Sequence, residues 1–140
     1  MLEALKEKVQ TGTPLLGICV GAQLLMEESE EDFSCVGLGW IPGKVKRFKH
    51  ELKIPQIGWN QVSQHQKDPL FKNIANEKHF YFVHSYHLNP ENSDHILGLT
   101  NYGYDFSAVV RKDNLWGVQF HPEKSQNAGL QLLKNFCTFT

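Results

Sequence analysis

The stretch Pro14-Leu15-Leu16-Gly17-Ile18-Cys19-Val20-Gly21-Ala22-Gln23 decides the fold of this chain. An apolar run leads to a cysteine that has glycine two residues before it and two residues after it, and an apolar helical pattern follows. This arrangement predicts a buried strand that turns sharply into a helix, with Cys19 at the turn. We expect only small residues to fit beside the turn, because a Cβ at Gly17 or Gly21 would clash with a neighbouring element.

The predicted turn gives Cys19 a chemical environment suited to a nucleophile. It lifts the sulfur out of the sheet towards solvent and places it at a helix N-terminus, where the dipole favours the thiolate. The alternative is that Cys19 is a small core residue, the commonest role of a cysteine outside disulfides. The stretch alone favours the nucleophile and leaves the core role open.

The composition restricts the classes of protein to consider. The chain has 140 residues, 41% of them hydrophobic, and a net charge of -1, which predicts one globular domain with a sizeable core. The near-neutral charge gives no argument for a nucleic-acid or anionic-membrane partner, and the sequence shows neither a bilayer-length apolar run nor a signal-peptide pattern. The cysteines, Cys19, Cys35 and Cys137, are odd in number and lack CxxC spacing, which argues against a disulfide framework and indicates a reducing cytoplasm.

Hydrophobic periodicity assigns elements to most of the chain. It predicts an amphipathic helix over residues 2–11, and β segments at residues 44–49, 54–62, 79–83, 96–100, 106–111 and 115–120. A final helix is expected to begin after a Ser125 cap, with an inner face of Leu130, Leu133 and Phe136 or Cys137. This order predicts an α/β fold whose middle is mostly β.

The tripeptide His121-Pro122-Glu123 is the best candidate for a partner of Cys19. A cysteine nucleophile needs a base, and the base needs a group that orients it. His121 follows an apolar strand, and a rigid turn can aim His121 and Glu123 the same way, so that the carboxylate holds one imidazole tautomer. The alternative is a surface strand end with an incidental histidine and glutamate. No metal site is predicted, because the remaining histidines form neither an HExxH motif nor a second ligand cluster.

The pattern Gly17-x-Cys19-x-Gly21-x-Gln23, combined with His121-Pro122-Glu123, closely resembles the class I (triad-type) glutamine amidotransferases. Other segments, in the same order, resemble the glutaminase subunits of imidazole glycerol phosphate synthase: Gly37-Leu38-Gly39, Pro42-Gly43-Lys44-Val45, Gly58-Trp59-Asn60, Phe82-Val83-His84-Ser85-Tyr86 and Gly117-Val118-Gln119-Phe120-His121-Pro122-Glu123-Lys124-Ser125. The resemblance covers essentially the whole chain. It implies one glutamine amidotransferase domain over residues 1–140, with a flavodoxin-like three-layer sheet and an additional antiparallel β portion.

The resemblance also implies a reaction and a set of site residues. Cys19 would attack the carboxamide of glutamine, His121 would carry the thiol proton to the departing ammonia, and Glu123 would orient His121. The Val20 amide would be one oxyanion donor, and glutamine would be held by Gln23 and by His84, Ser85 and Tyr86, the last three largely through their backbone. The resemblance implies no cofactor, and a heterodimer in which ammonia passes to a separate (β/α)8 cyclase subunit.

Two departures from the family pattern affect these expectations. Gln56 stands where the family often has histidine, and we expect this to alter the cyclase-facing surface more than the chemistry. The family also begins with a strand–helix–strand unit and a glycine-rich loop, upstream of what is Leu2 here. We therefore expect an N-terminally truncated domain that is poorly stable or self-associating, with low or absent glutaminase activity, because a buried strand without its neighbours exposes backbone and apolar surface.

Two other functions stay open at the level of sequence. The same ammonia chemistry could serve a different synthase, or the chain could be a remnant that binds glutamine or a partner without turnover. The presence of Cys19, His121 and Glu123 argues against decay, whereas the expected truncation argues for it.

Overall fold

The predicted helices and strands occur in the predicted order, and the structure adds strands at residues 28–29, 63–64 and 86–90 that periodicity does not predict. The computed structural model of the protein describes residues 1–31 and 36–138, so Cys35 lies outside the described part. The helices are α1 (Leu2–Gln10), α2 (Val20–Leu24) and α3 (Gln126–Thr138). The strands are β1 (Leu15–Ile18), β2 (Glu28–Ser29), β3 (Gly43–Arg47), β4 (Gln56–Gln61), β5 (Ser63–Gln64), β6 (His79–His84), β7 (Tyr86–Pro90), β8 (Ile96–Asn101), β9 (Asp105–Lys112) and β10 (Leu115–Val118). Short 3-10 turns occur at Pro69–Phe71, Ser93–His95 and Pro122–Lys124.

Most of the strands form one mixed sheet. Its order is β1-β10-β9-β7-β3-β2, with β8 paired to β9 and β5 paired to β8. The pairs β1–β10 and β2–β3 are parallel and the others are antiparallel, and β4 and β6 form a separate antiparallel pair. The predicted α/β fold with an additional antiparallel portion is confirmed.

The parallel pairing of β1 with β10 positions the site. Gly17 lies opposite Gly117, and Ile18 lies opposite Val118. The Cys19 amide continues the ladder by donating to the Val118 carbonyl at 2.8 Å. Because parallel strands end at the same edge of a sheet, the residues that follow β1 and β10 come together there.

Two apolar clusters cover the opposite faces of the main sheet. Side chains alternate along a strand, so Val109 and Val110 of β9 belong to different clusters. On one face the sheet packs with the first turns after β1, including Ala22, Leu25 and Met26. On the other it packs with Leu132 of α3 and with Phe80 and Phe82 of the two-stranded pair. The predicted three-layer arrangement is therefore confirmed.

Helix α1 forms as predicted but buries little of its apolar stripe. None of its residues is buried, Leu2 and Leu5 are exposed, and Val9 alone packs against the cluster that contains Ala22. Helix α1 leads into β1. Among the described residues, β1 is the end strand of the main sheet and pairs with β10. None of the three helices described is long and apolar enough to cross a membrane.

The buried face of α3 differs from the predicted one. Leu130 is 61% exposed and Cys137 is exposed, whereas Gly129, Leu132 and Asn135 are buried. The prediction is confirmed for Phe136, which is half-buried and packs against the core, and Leu133 is also half-buried. It was wrong for Leu130 and Cys137, and it missed Gly129 and Asn135 because apolar periodicity gives no weight to glycine and asparagine. A Cβ on Gly129 would lie 1.9 Å from the Pro122 carbonyl oxygen, so the start of the helix packs directly on backbone.

The reason that asparagine faces inwards is a pair of hydrogen bonds. The Asn135 side-chain amide donates to the Leu70 carbonyl at 2.8 Å and to the Lys72 carbonyl at 2.7 Å. These bonds hold α3 against the 3-10 turn Pro69–Phe71 and satisfy two carbonyls that packing removes from water.

Candidate active site

The turn between β1 and α2 holds Cys19 in an uncommon backbone conformation. Its φ is 55° and its ψ is -109°, in a region that non-glycine residues rarely adopt. Gly17 is required beside it, because a Cβ there would lie 2.7 Å from the backbone of Gly21. The same expectation for Gly21 was wrong, since a Cβ at that position would meet nothing within 4 Å.

The Cys19 thiol is half-buried, and burial is the largest influence on its pKa. Desolvation raises the pKa above its ordinary value, while hydrogen bonds from the Val20 amide and the Gln119 side chain lower it; Glu123 raises it and Lys124 lowers it through their charges. Helix α2 has only five residues, and burial outweighs the stabilisation of the thiolate that the sequence led us to expect. The resting group is therefore a thiol that needs a base.

The predicted base and its orienting carboxylate are in direct contact. His121 Nδ1 lies 2.9 Å from Glu123 Oε2 across the 3-10 turn Pro122–Lys124. The side chains are 22% and 48% exposed, respectively. A neutral imidazole that donates Nδ1–H to this carboxylate keeps Nε2 as an acceptor, which is the form a general base requires.

Ser125 ties the His121 turn to the sheet. Its Oγ donates to the His121 carbonyl at 2.6 Å and accepts from the Tyr81 amide at 2.9 Å. The His121 amide in turn donates to the Tyr81 carbonyl at 2.9 Å. Helix α3 begins directly after Ser125, as predicted, and the Ser125 carbonyl accepts from the Gly129 amide at 3.2 Å. The described hydrogen bonds of its hydroxyl, however, hold the turn against β6 and do not cap the helix.

The fold brings Cys19 and the His121–Glu123 pair to one edge of the sheet. Cys19 follows β1, and His121 lies three residues beyond the end of the neighbouring parallel strand β10. The charges of Glu123 and Lys124 both act on the pKa of the Cys19 thiol, so the turn lies in its neighbourhood. The roles of Cys19 as nucleophile, His121 as base and Glu123 as orienting carboxylate stay predictions, and of these the structure shows the contact between His121 and Glu123.

Gln23 connects the turn after Cys19 to two other elements. Its Nε2 donates to the Tyr86 carbonyl at 3.3 Å and to Gln119 Oε1 at 3.1 Å. One predicted substrate-binding residue is thus joined to the backbone of another, Tyr86, at the start of β7. The side-chain nitrogen of Gln23 is used within the protein.

His84, also predicted at the substrate site, is buried with both ring nitrogens engaged. Nδ1 lies 2.8 Å from the Tyr86 carbonyl, and Nε2 lies 2.8 Å from the amide end of Gln56, at the position assigned to Oε1. Burial is the main cause that lowers the His84 pKa to about 4, so the ring is neutral at pH 7. Because a carbonyl can only accept, Nδ1 carries the proton and Nε2 accepts, which requires Gln56 to present its NH2 group.

The location of Gln56 corrects one expectation. Gln56 begins β4, lies opposite His84 in the β4–β6 register, and is buried, so its side chain does not form part of the outer surface of this chain. The Ser85 carbonyl accepts from the Phe48 amide at 3.1 Å. The His84-Ser85-Tyr86 segment is therefore held by the side-chain contact of His84 with Gln56 and by the backbone hydrogen bond from Phe48 to Ser85.

Sequence reasoning missed Gln119 as a site residue. It is fully buried, and its Nε2 lies 3.8 Å from Cys19 Sγ. Two signals could have found it: it lies two residues before His121, and it is an amide in the otherwise apolar segment 115–120.

A cysteine on a strained strand-to-helix turn, with a histidine–carboxylate pair after the next parallel strand, is an arrangement typical of cysteine nucleophiles. The family model described as glutamine amidotransferase class-I matches residues 1–139, and the chain belongs to this family. The solved structures of similar fold include a glutamine amidotransferase with a TM-score of 0.69 at 18% identity, covering 97% of this chain and 68% of that one. Another, a glutamine amidotransferase from Thermotoga maritima, has a TM-score of 0.61 at 18% identity and covers 96% of this chain and 51% of that one.

Several relatives are subunits of one particular enzyme. The chain is 56% identical over 123 residues to imidazole glycerol phosphate synthase subunit HisH 1 of Methanococcus maripaludis, covering 88% of this chain and 61% of the relative. It is 50% identical over 142 residues to subunit HisH of Neisseria meningitidis, covering 96% of this chain and 66% of the relative. The chain thus spans slightly under two thirds of the length of these two relatives.

Proposed function

We propose that this chain is a glutaminase domain that hydrolyses glutamine to glutamate and ammonia. The observation that carries the proposal is the placement of Cys19, on a strained turn, at the sheet edge where His121 Nδ1 meets Glu123 Oε2 at 2.9 Å. These are the three groups that cysteine-dependent cleavage of an amide needs.

The reaction proceeds through two acyl-transfer steps. His121 Nε2 accepts the thiol proton while Cys19 Sγ attacks the side-chain carbonyl carbon of glutamine. The tetrahedral intermediate collapses with cleavage of the carbon–nitrogen bond, and His121 returns the proton to the leaving nitrogen, which departs as ammonia. Water, deprotonated by His121, then cleaves the thioester, which restores the thiol and releases glutamate. The raised pKa of Cys19 makes this base necessary.

The groups around the sulfur supply charge stabilisation and substrate binding. The Val20 amide donates towards the sulfur and is one oxyanion donor. In comparable enzymes one such donor lowers the activation free energy by roughly 3 kcal/mol. Gln23 and the backbone of Ser85 and Tyr86 bind glutamine. His84 contributes through the Tyr86 carbonyl that its ring holds in place.

We further propose that the ammonia passes to a cyclase subunit of imidazole glycerol phosphate synthase, in a cytoplasmic heterodimer. The support is the identity of 46–56% to HisH subunits over most of the chain. Transfer of ammonia to this acceptor, compared with other candidate synthases, is the measurement that distinguishes this assignment from an amidotransferase that serves another enzyme.

A reactive analogue of glutamine tests the glutaminase site directly. We expect a diazoketone analogue to label Cys19, excess glutamine to prevent the labelling, and Cys19→Ser to abolish it, with peptide mapping by mass spectrometry as the readout. Cys137, which is exposed on α3, serves as the internal control and should stay unlabelled. Absence of labelling at Cys19 in folded protein would contradict a formed glutamine site and favour a binding remnant.

A further inference from the structure

The Cys19 sulfur contacts two polar groups that act on it in opposite ways. One is the Val83 carbonyl oxygen, 3.9 Å away, which accepts from the thiol. The other is Gln119 Nε2, 3.8 Å away, which donates. A carbonyl beside the sulfur suits a thiol and disfavours a thiolate, so stabilisation of the anion depends on donors, which here are the Val20 amide and the Gln119 side chain.

The direction of the Gln119 amide is determined by a chain of hydrogen bonds that ends on backbone. Oxygen and nitrogen of a side-chain amide can exchange places, so an orientation needs a reference that cannot be reversed. The Tyr86 carbonyl is such a reference, because it can only accept; it therefore receives an N–H of Gln23, at 3.3 Å. The second N–H of Gln23 points to Gln119 Oε1, at 3.1 Å, which leaves the NH2 group of Gln119 facing the sulfur.

Burial and backbone pairing make this arrangement rigid. Gln119 is fully buried, and its amide N–H donates to the Ala108 carbonyl at 2.8 Å. Its side chain is thus enclosed by the Gln23 amide, the Cys19 sulfur and the core. A buried amide whose oxygen is already satisfied keeps its remaining donor directed at the nearest acceptor.

We propose that Gln119 is a positioning residue for the nucleophile: it donates a hydrogen bond that orients the Cys19 sulfur and favours its thiolate, and Gln23 sets the direction of that bond. The inference rests on the proposed glutaminase function and adds a residue to its site. The effect of Gln119 on the Cys19 pKa, which is downward, agrees with this role. Gln23 contacts Gln119 and is also proposed to bind glutamine. The side-chain amides of Gln23 and Gln119 therefore connect the proposed substrate site to the Cys19 sulfur.

Alkylation of Cys19 by iodoacetamide tests the bond without using glutamine. The rate at the Cys19 peptide, measured by mass spectrometry across pH, gives the midpoint of thiol ionisation. We expect Gln119→Met, which keeps the size of the side chain and removes its donor, to raise this midpoint by about one pH unit, equivalent to about a tenfold lower thiolate fraction at neutral pH. Gln64→Met is the matched control, because Gln64 bonds to the Ile74 carbonyl away from the site, and it should leave the midpoint unchanged.

A second variant keeps the test decisive if Gln119→Met fails to fold. Gln23→Met releases the Gln119 oxygen and lets that amide turn, so we expect a smaller rise of the Cys19 midpoint in the same direction, with unchanged reactivity of Cys137. An unaltered midpoint in folded Gln119→Met, or in Gln23→Met where the first variant is unfolded, would overturn the proposal. If the substitutions raise the Cys19 midpoint as expected but the wild-type chain does not turn over glutamine, the result contradicts the glutaminase function and leaves the role of Gln119 standing.

Discussion

At the scale of single residues, the orientation of His121 depends on Ser125. One hydroxyl satisfies the His121 carbonyl and the Tyr81 amide, and it holds the turn that carries Glu123. Ser125 is buried, so loss of its hydroxyl removes the bond from the Tyr81 amide and leaves the His121 carbonyl with the Lys124 amide, at 3.0 Å, as its other donor. Ser125 therefore affects both the stability of the fold and the aim of the proposed base.

We predict that Ser125→Ala lowers the free energy of unfolding by about 1–3 kcal/mol, since two buried hydrogen bonds are lost. We also expect slower glutamine turnover with little change in KM, because the substitution loosens the base and leaves the proposed glutamine contacts intact. Urea unfolding and steady-state kinetics measure the two effects. Ser63→Ala, on an exposed position of β5, is the control that should alter neither. Equal stability of the two variants would refute the structural role of Ser125.

At the scale of elements, the two glycines around Cys19 have different roles. Gly17 lies in contact with the backbone of Gly21, whereas Gly21 faces open space. The two glycines are equally spaced from Cys19 in the sequence, but only Gly17 is closely packed.

We predict that Gly17→Ala destabilises the fold by about 2 kcal/mol or more, because the added Cβ forces β1 and α2 apart. Gly21→Ala should be neutral or stabilising by up to about 1 kcal/mol, since alanine favours helix and no contact opposes it. Denaturant unfolding of the two variants provides the comparison. A loss of stability in Gly21→Ala as large as in Gly17→Ala would show that the turn is packed on both sides.

The buried face of α3 gives a second prediction for an element. Leu132→Ala removes a fully buried side chain and should cost about 2–5 kcal/mol of unfolding free energy. Leu130→Ala, the same change two residues earlier on an exposed position, should cost at most about 0.5 kcal/mol. Thermal or urea unfolding of the two variants decides which face of the helix packs inwards. A larger loss of unfolding free energy in Leu130→Ala than in Leu132→Ala would support the face predicted by periodicity.

At the scale of the whole molecule, buried histidines connect stability to pH. His84 joins the two-stranded pair to β7, and His87 lies near it, with both rings packed on Phe48. Burial lowers the pKa of both groups, that of His84 to about 4. Their neutral forms are therefore part of the folded state.

We predict that the protein loses stability as the pH falls from about 6.5 towards 4. Since the pKa of His84 is lower in the folded than in the unfolded chain, the unfolded chain binds more protons in this range, and the stability present above pH 6.5 is progressively lost. For His84 alone the loss approaches roughly 3 kcal/mol. Urea unfolding between pH 8 and pH 4.5 measures it.

Histidine variants identify the source of this pH dependence. His84→Gln should be less stable at pH 8, because the Tyr86 and Gln56 contacts are disturbed, and should lose less stability on acidification than the wild type. His65→Gln, at an exposed position, should keep the wild-type profile. If the His84→Gln profile has the wild-type slope, other groups cause the pH dependence.

The sequence by itself determined the features that depend on neighbouring residues. A strand-to-helix turn, a His-Pro-Glu tripeptide and the period of each strand are local patterns, and their chemistry can be recognised before the chain folds. The α/β order follows from such patterns, and so do the proposed nucleophile, base and orienting carboxylate. The pairing of β1 with β10 only brings together groups that the sequence already contains.

Only the tertiary structure decided the features that depend on residues far apart in the chain. The contact of Gln119 with Cys19 spans 100 positions, and those of Asn135 with Leu70 and Ser125 with Tyr81 span 65 and 44. Burial is likewise a property of the assembled core, and it reversed the expected shift of the Cys19 pKa. The physical reason is that desolvation and hydrogen bonding at a buried polar group depend on which distant segments enclose it, and no local pattern encodes that enclosure.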